Sequence, residues 1–317
     1  MLKKTISVVI PIYNEQDIIA RLMGQLKQTT SNLNYDFEFI FVNDGSSDNT
    51  LSVLIDLQNQ DEHIKIIDLS RNFGQQVAIS AGIDYSNQDA VVLMDADLED
   101  CPHDIPKFIE KWEQGYDVVY ALRKKRKTSV FRNICFYAFH SLNRLLSDIP
   151  IEPSGIFGLM DKRVVERLKA FPERKRYFPG LRNWVGFKQT GVVVDRGARY
   201  DAKPRVSFAR LVGLALDGYF SFSNKPLKVA SLLGIFFSFL TLISAILIVI
   251  LKFVTNFKVP GWASMIVIIL FISSMQFVCI GIIGEYLGRM YDEIKGRPLY
   301  IINGLYGLRE KEMKQSR

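Results

Sequence analysis

Two hydrophobic rhythms divide the chain. Up to about residue 200, short apolar runs alternate with amphipathic stretches. The runs Ile6–Ile12, Phe37–Val42, Ile64–Leu69, Ala90–Met94 and Asp117–Ala121 are too short for helices and read as strands. Apolar residues at helical spacing predict helices over Asp17–Gln28, Asp48–Gln58, Gln75–Tyr85 and Ile105–Gln114. Strands alternating with helices predict an α/β fold, its mostly parallel sheet covered on both faces. The first run is broken by Pro11 and lacks a small-residue cleavage site, so it reads as a strand rather than a signal peptide.

The second rhythm is continuous. Val229–Leu251 is 23 residues without a charge, and Ala263–Ile283 is 21 more. About 20 apolar residues cross a bilayer core, and the short connection Lys252–Trp262 makes the two a hairpin. The outer flanks carry Arg210, Lys225, Lys228, Arg289, Lys295 and Arg297, the connection only Lys252 and Lys258. That asymmetry puts both flanks in the cytoplasm. Four segments follow: a cytoplasmic domain over 1–205, a juxtamembrane stretch over 206–226, a hairpin over 227–284 and a cytoplasmic tail over 285–317. In the juxtamembrane stretch, Phe208, Leu211, Val212 and Ala215 recur at helical spacing. They suit an interfacial helix or one packed on the domain. Gly284 and Gly288, with Gly281 on nearly the same face, let helices approach closely, within the hairpin or in a homo-oligomer.

The formal charge of +7 points to an anionic partner: phosphate, acidic lipid or nucleic acid. A nucleic-acid reading leaves the hairpin unexplained. Cys101, Cys135 and Cys279 are far apart and odd in number, which suits free thiols in a reducing compartment.

Candidate chemistry gathers where the predicted strands end. The fourth closes in Asp95-Ala96-Asp97. In extended backbone residues i and i+2 share a face, so both carboxylates can turn toward one cation. Hard oxygen ligands suit Mg²⁺ or Mn²⁺ held jointly with phosphates; two solvated loop carboxylates are the plainer alternative. The first strand ends in Pro11-Ile-Tyr13-Asn14-Glu15 and the second in Asn43-Asp44-Gly45-Ser-Ser-Asp48. Gly45 permits a sharp bend, and a Ser or Asp can cap the next helix. Ligands of open α/β sheets bind beyond the carboxyl ends of the strands, the edge that Glu15, Asp44 and Asp95 would share.

These segments, with Arg71-Asn-Phe-Gly74, together resemble the inverting glycosyltransferases of family 2 over roughly residues 5–125. Phe157-Gly-Leu-Met-Asp, Pro179-Gly-Leu-Arg-Asn-Trp and Phe220-Ser-Phe-Ser-Asn-Lys-Pro-Leu precede the apolar segments. This order is similar to that of bacterial polyprenyl-phosphate glycosyltransferases, relatives of dolichol-phosphate mannose synthase, of the bactoprenol glucosyltransferase type. The resemblance implies a GT-A-like nucleotide-diphospho-sugar transferase fold. It implies inverting transfer of a hexose, glucose from UDP-glucose, to polyprenyl phosphate at the inner membrane. It also assigns roles. Asp44 would hydrogen-bond the base, with Pro11, Tyr13, Asn14 and Glu15 lining the nucleoside pocket and Arg71 near the donor. Asp95 and Asp97 would hold the metal–diphosphate unit, Asp97 as the direct ligand.

Departures accompany the resemblance. Family members often carry Asp and Arg where this chain has Ile156 and Gly158, which removes those positions from any borrowed acceptor role. Basic residues cluster at Arg123-Lys-Lys-Arg126-Lys and at Lys203-Pro-Arg205. They are either solvated loops or a site for membrane lipids and the acceptor phosphate, Arg123, Arg126 and Arg205 being the candidates. Two other readings stay open. One is a non-catalytic sugar-nucleotide sensor or scaffold. The other is a transferase acting on a hydroxyl, with Glu99 or Asp100 as general base.

Overall fold

The structure, a computed structural model, describes residues 3–123, 155–174, 176–194, 225–254 and 261–308. It forms two compact units. The first holds residues 1–133, 149–211 and 297–317, and the second residues 134–148 and 212–296.

In the first unit β1 (Thr5–Ile12), α1 (Ile19–Thr30), β2 (Asp36–Asn43), α2 (Thr50–Gln60), β3 (Ile64–Leu69), α3 (Gln75–Tyr85), β4 (Ala90–Leu93), α4 (Ile105–Glu113) and β5 (Val118–Arg123) follow the expected order. Then come β6 (Gly158–Asp161), α5 (Lys162–Lys169), α6 (Phe178–Trp184) and β7 (Gln189–Val194). The described strands form one sheet in the order β7-β5-β6-β4-β1-β2-β3-β8, β8 being Ile302–Tyr306. β1 runs parallel to both β2 and β4, and β2 to β3. β6 is antiparallel to β4 and β5, and β8 to β3. The chain winds outward from β1 through β2 to β3, then returns to place β4 on β1's other side. The β1/β4 boundary is therefore a switch point, where a crevice opens beyond the carboxyl ends.

Helices cover both faces, so the central strands are continuous apolar runs rather than alternating ones. Ile6, Val8, Val9 and Ile10 in β1 and all of β4 are buried. Helix α1 buries Ile19, Leu22, Met23 and Leu26 along one stripe. Helix α3 is buried nearly all round and uses small residues to come close. A Cβ on Gly82 would lie 2.3 Å from Val9 Cγ1. That approach seats α3 on β1 and fixes its N-terminus at the crevice. Position 158 has a steric reason to be glycine: a Cβ there would lie 2.4 Å from the Val119 carbonyl oxygen, where β6 presses on β5. An arginine at this position does not fit this backbone.

The second unit contains α7 (Lys225–Val254) and α8 (Trp262–Ile294). By the helical rise of 1.5 Å they are about 45 and about 50 Å long. Phe237 meets Phe271 edge-on at 5.9 Å, and the Cys279 thiol donates to the Ala230 carbonyl at 3.6 Å. Among the described residues one stretch, Phe271–Ile294, is long and apolar enough to cross a membrane, and none of it is buried. Ala230–Thr241 is a shorter apolar stretch of α7. A Cβ on Gly281, Gly284 or Gly288 would touch nothing within 4 Å, so no described segment of this chain packs on that face. Helix α8 runs well past the expected end of its apolar segment. Beyond it, β8 rejoins the first unit within what the sequence reads as a tail.

Candidate active site

Four loops meet at the switch point. Those after β1 and β2 are knitted by reciprocal bonds. The Asn14 amide donates to Ser46 Oγ at 3.0 Å, and the Ser47 amide donates to Asn14 Oδ1 at 2.8 Å. The Glu15 amide donates to Thr50 Oγ1, and the Asn49 amide to Gln16 Oε1. Asn14 has φ 54, a left-handed conformation that asparagine tolerates. Asp48 accepts the Thr50 N–H at the start of α2.

The loop after β3 is tied in by Asp44. Its carboxylate accepts the backbone N–H of Phe73 at 2.7 Å and of Gly74 at 2.9 Å. Burial pushes the Asp44 carboxyl above its usual range, against the pull of those two N–H groups and the Arg71 cation. Gly45 is required here: φ is +64, and a Cβ would lie 2.3 Å from the Arg71 carbonyl carbon.

The loop after β4 supplies the other carboxylates. Gln75, at the start of α3, donates to Asp95 Oδ1, and Asp97 Oδ1 accepts the Glu99 N–H at 3.1 Å. The next residue, Leu98, is buried with φ 59. For a leucine that stores about 1–3 kcal/mol of strain, a cost typical of functional loops. Asp100 is buried, and its Oδ2 accepts the Asp95 N–H at 3.4 Å. It is thus directed into its own loop.

Together these loops line a cavity of about 300 Å³ whose walls are Pro11, Ile12, Tyr13, Glu15, Asp44, Asn72, Gly74, Gln75, Asp95, Ala96 and Asp97. Six of the residues picked from sequence therefore meet: Pro11, Tyr13, Glu15, Asp44, Asp95 and Asp97. Asn14 stands behind the wall as a loop tie. Arg71 is not in the wall either. Its guanidinium lies 4.2 Å over the Phe73 ring and donates to the Asn72 carbonyl, while Asn72 and Gly74 face the cavity. Gln75 was missed by sequence reasoning, because an amide at a helix start carries no motif. Of the basic candidates, Arg123 ends β5, its backbone in register with Val194; Arg126 and Arg205 lie outside the described residues. A larger groove, about 680 Å³, runs between α1 and Pro102-His103 and is lined by Arg21, Gln25 and Gln28 but by no carboxylate.

Asp95 and Asp97 are a donor set suited to a hard cation. Among the described residues no three His, Cys, Asp or Glu side chains converge as a complete metal cage. Mg²⁺ characteristically takes one or two carboxylates and completes its shell with water and ligand phosphate. The pair fits that mode.

A switch-point crevice ringed by loop carboxylates, on a mostly parallel sheet with antiparallel β6 and β8, is the architecture of a GT-A-like fold. Residues 7–168 match the model of glycosyl transferase family 2, and the chain belongs to that family: it is a glycosyltransferase. An uncharacterized glycosyltransferase of Synechocystis is 44% identical over 96% of each chain. Another, from Bacillus subtilis, is 42% identical over 97% of this chain and 96% of its own. A prophage-derived bactoprenol glucosyl transferase of Shigella flexneri is 36% identical over 94% of this chain and 97% of its own.

Gly45→Ala should lower unfolding stability by about 2–4 kcal/mol, combining the left-handed backbone cost with overpacking against the 71–72 backbone. Gly24→Ala, in helix α1 with nothing within 4 Å of the new Cβ, is the control and should be neutral or slightly stabilising. Equal behaviour of the two variants would contradict the close contact of the second and third loops.

Proposed function

We propose that this enzyme transfers a hexose, glucose from UDP-glucose, to polyprenyl phosphate at the cytoplasmic face of the inner membrane, with inversion at the anomeric carbon. The observation behind the proposal is the convergence of Tyr13, Asp44, Asp95 and Asp97 on one cavity at the β1/β4 switch point. The bactoprenol glucosyl transferase relative supports the acceptor class.

Each residue then has a physical task. Tyr13 is 44% exposed at the mouth and offers a ring face on which a base can stack. Asp44 accepts from the base while its backbone bonds hold the third loop. Asp95, steadied by Gln75, and Asp97 face the diphosphate and would hold Mg²⁺ or Mn²⁺. When bound, that cation offsets the negative charge growing on the departing nucleoside diphosphate. Attack comes from the face opposite the leaving group, which converts an α-linked donor into a β-linked product. A lipid monophosphate has a second pKa of about 6 and is largely dianionic at neutral pH, so it needs no general base. Asp100, one of the two general-base candidates of the hydroxyl-acceptor alternative, is buried and accepts the Asp95 N–H. Arg123, Arg126 and Arg205 are proposed to hold the acceptor phosphate by charge-assisted hydrogen bonds.

The helix pair keeps the enzyme beside its acceptor. Large apolar side chains on both helices are exposed, among them Leu232, Phe236, Phe239, Phe277 and Ile280, as lipid-facing surfaces are and soluble cores are not. The outer flanks of the pair carry Lys225, Lys228, Arg289, Lys295 and Arg297, against Lys252 and Lys258 between the helices. Two crossings match the basic flanks.

Purified full-length protein given polyprenyl phosphate and a panel of nucleotide sugars should yield one lipid-phosphate hexose by mass analysis, fastest from UDP-glucose and only with a divalent cation. Donor hydrolysis without a lipid product, or a product on a lipid hydroxyl, would contradict the proposal. For topology, a cysteine at Phe257 in a variant without native cysteines should react with an impermeant reagent from outside the cell. Reaction only after permeabilisation would invert the assignment.

A further inference from the structure

Strand β8 carries a residue that points to a task beyond closing the sheet edge. In its pairing with β3, Gly304 lies opposite Asp68 and Ile302 opposite Leu69, so Asn303 is the extra residue of a bulge. Bulges re-aim side chains, and this one turns the Asn303 amide onto Asp68. Asn303 Nδ2 donates to Asp68 Oδ2, and Asn43 Nδ2 donates to Asp68 Oδ1, each at 2.7 Å.

Asp68 is 3% exposed. Burying a carboxylate is costly, and apolar residues would fill the same place more cheaply. What the carboxylate does accomplish is orientation. It takes the Asn43 amide nitrogen and thereby directs Asn43 Oδ1 at the Ser46 N–H, which donates to it at 3.3 Å. Ser46 Oγ in turn accepts the Asn14 N–H. A continuous hydrogen-bonded path thus runs from Asn303 through Asp68, Asn43 and Ser46 to the loop that holds Tyr13.

We infer that Asn303 is a positioning residue for the donor site: acting through Asp68 and Asn43, it holds the 43–47 turn in the form that presents Asp44. This rests on the donor reading of the cavity. It also means that the nucleotide pocket is completed by a segment the chain makes only after α8, so residues 1–205 alone lack part of the pocket's support.

The test uses full-length protein in detergent, with UDP plus Mg²⁺ as the probe. Asn303→Ala should weaken UDP binding about three- to tenfold, less than the full worth of a charge-assisted hydrogen bond because the effect reaches the site through Asp68 and Asn43. It should also speed amide exchange at Ser46 and Ser47 in the absence of nucleotide. The exchanged pair Asp68→Asn with Asn303→Asp keeps an amide–carboxylate contact and a carbonyl oxygen for Asn43, and should restore both readouts. Tyr300→Phe is the control for general loosening of the strand. It removes the Tyr300 hydroxyl bond to Asp84 on α3, and should lower Tm while leaving UDP affinity and the Ser46 and Ser47 amides unchanged. Unchanged exchange at these amides in Asn303→Ala, or an equal effect of Tyr300→Phe, would overturn the inference. Faster exchange with unaltered UDP affinity would uphold the coupling and remove the turn from the donor site.

Discussion

The burial of β1 and β4 on both faces constrains everything else in the first unit. Strands covered by helices on each side have no room for charge along their length, so polar chemistry can appear only where they end. Because the chain reverses its direction of winding between these two strands, their carboxyl ends open into the same crevice. Gly82 against Val9 sets how closely α3 sits on β1, and thereby where Gly74 and Gln75 stand. The four loops then stabilise one another through side-chain bonds, Asp44 to the third loop, Asn14 to the second, and Gln75 to Asp95 of the fourth. Asp44 both ties the third loop and lines the cavity.

The parts legible in the sequence are those with a local cause. Helices α1–α4 and strands β1–β5 lie within about two residues of their expected ends, because continuous apolar runs and helical spacing need no tertiary information. The carboxylates at strand ends were legible for the same reason. What escaped depends on distant partners. β6 has four residues and exists by antiparallel pairing between β4 and β5. β8, Ile-Asn-Gly-Leu-Tyr, has weak strand propensity and is made a strand by β3. Side-chain direction was not legible either. Arg71 folds over its neighbour Phe73 while Asn72 faces the cavity, and Gln75 reaches Asp95 across loops twenty residues apart. Gly158 reads as a lost arginine in sequence and as a steric requirement in the fold.

Chain order links the two units in a way that domain boundaries hide. The sheet is finished by residues that follow the second long helix, so catalytic domain and apolar helices are nested rather than joined in tandem. Nesting makes the Asn43–Asp68–Asn303 contacts available only to the complete chain.

The proposed chemistry requires Asp95 and Asp97 to bind a divalent cation together with the donor diphosphate in the β1/β4 crevice. Calorimetric titration of UDP into wild-type and Asp97→Asn protein, with and without Mg²⁺, tests it most directly. A neutral amide is a poor Mg²⁺ ligand. Mg²⁺ should tighten UDP binding about tenfold or more in the wild type, about 1.4 kcal/mol, and have almost no effect in Asp97→Asn. The same Mg²⁺ enhancement in both proteins would contradict it.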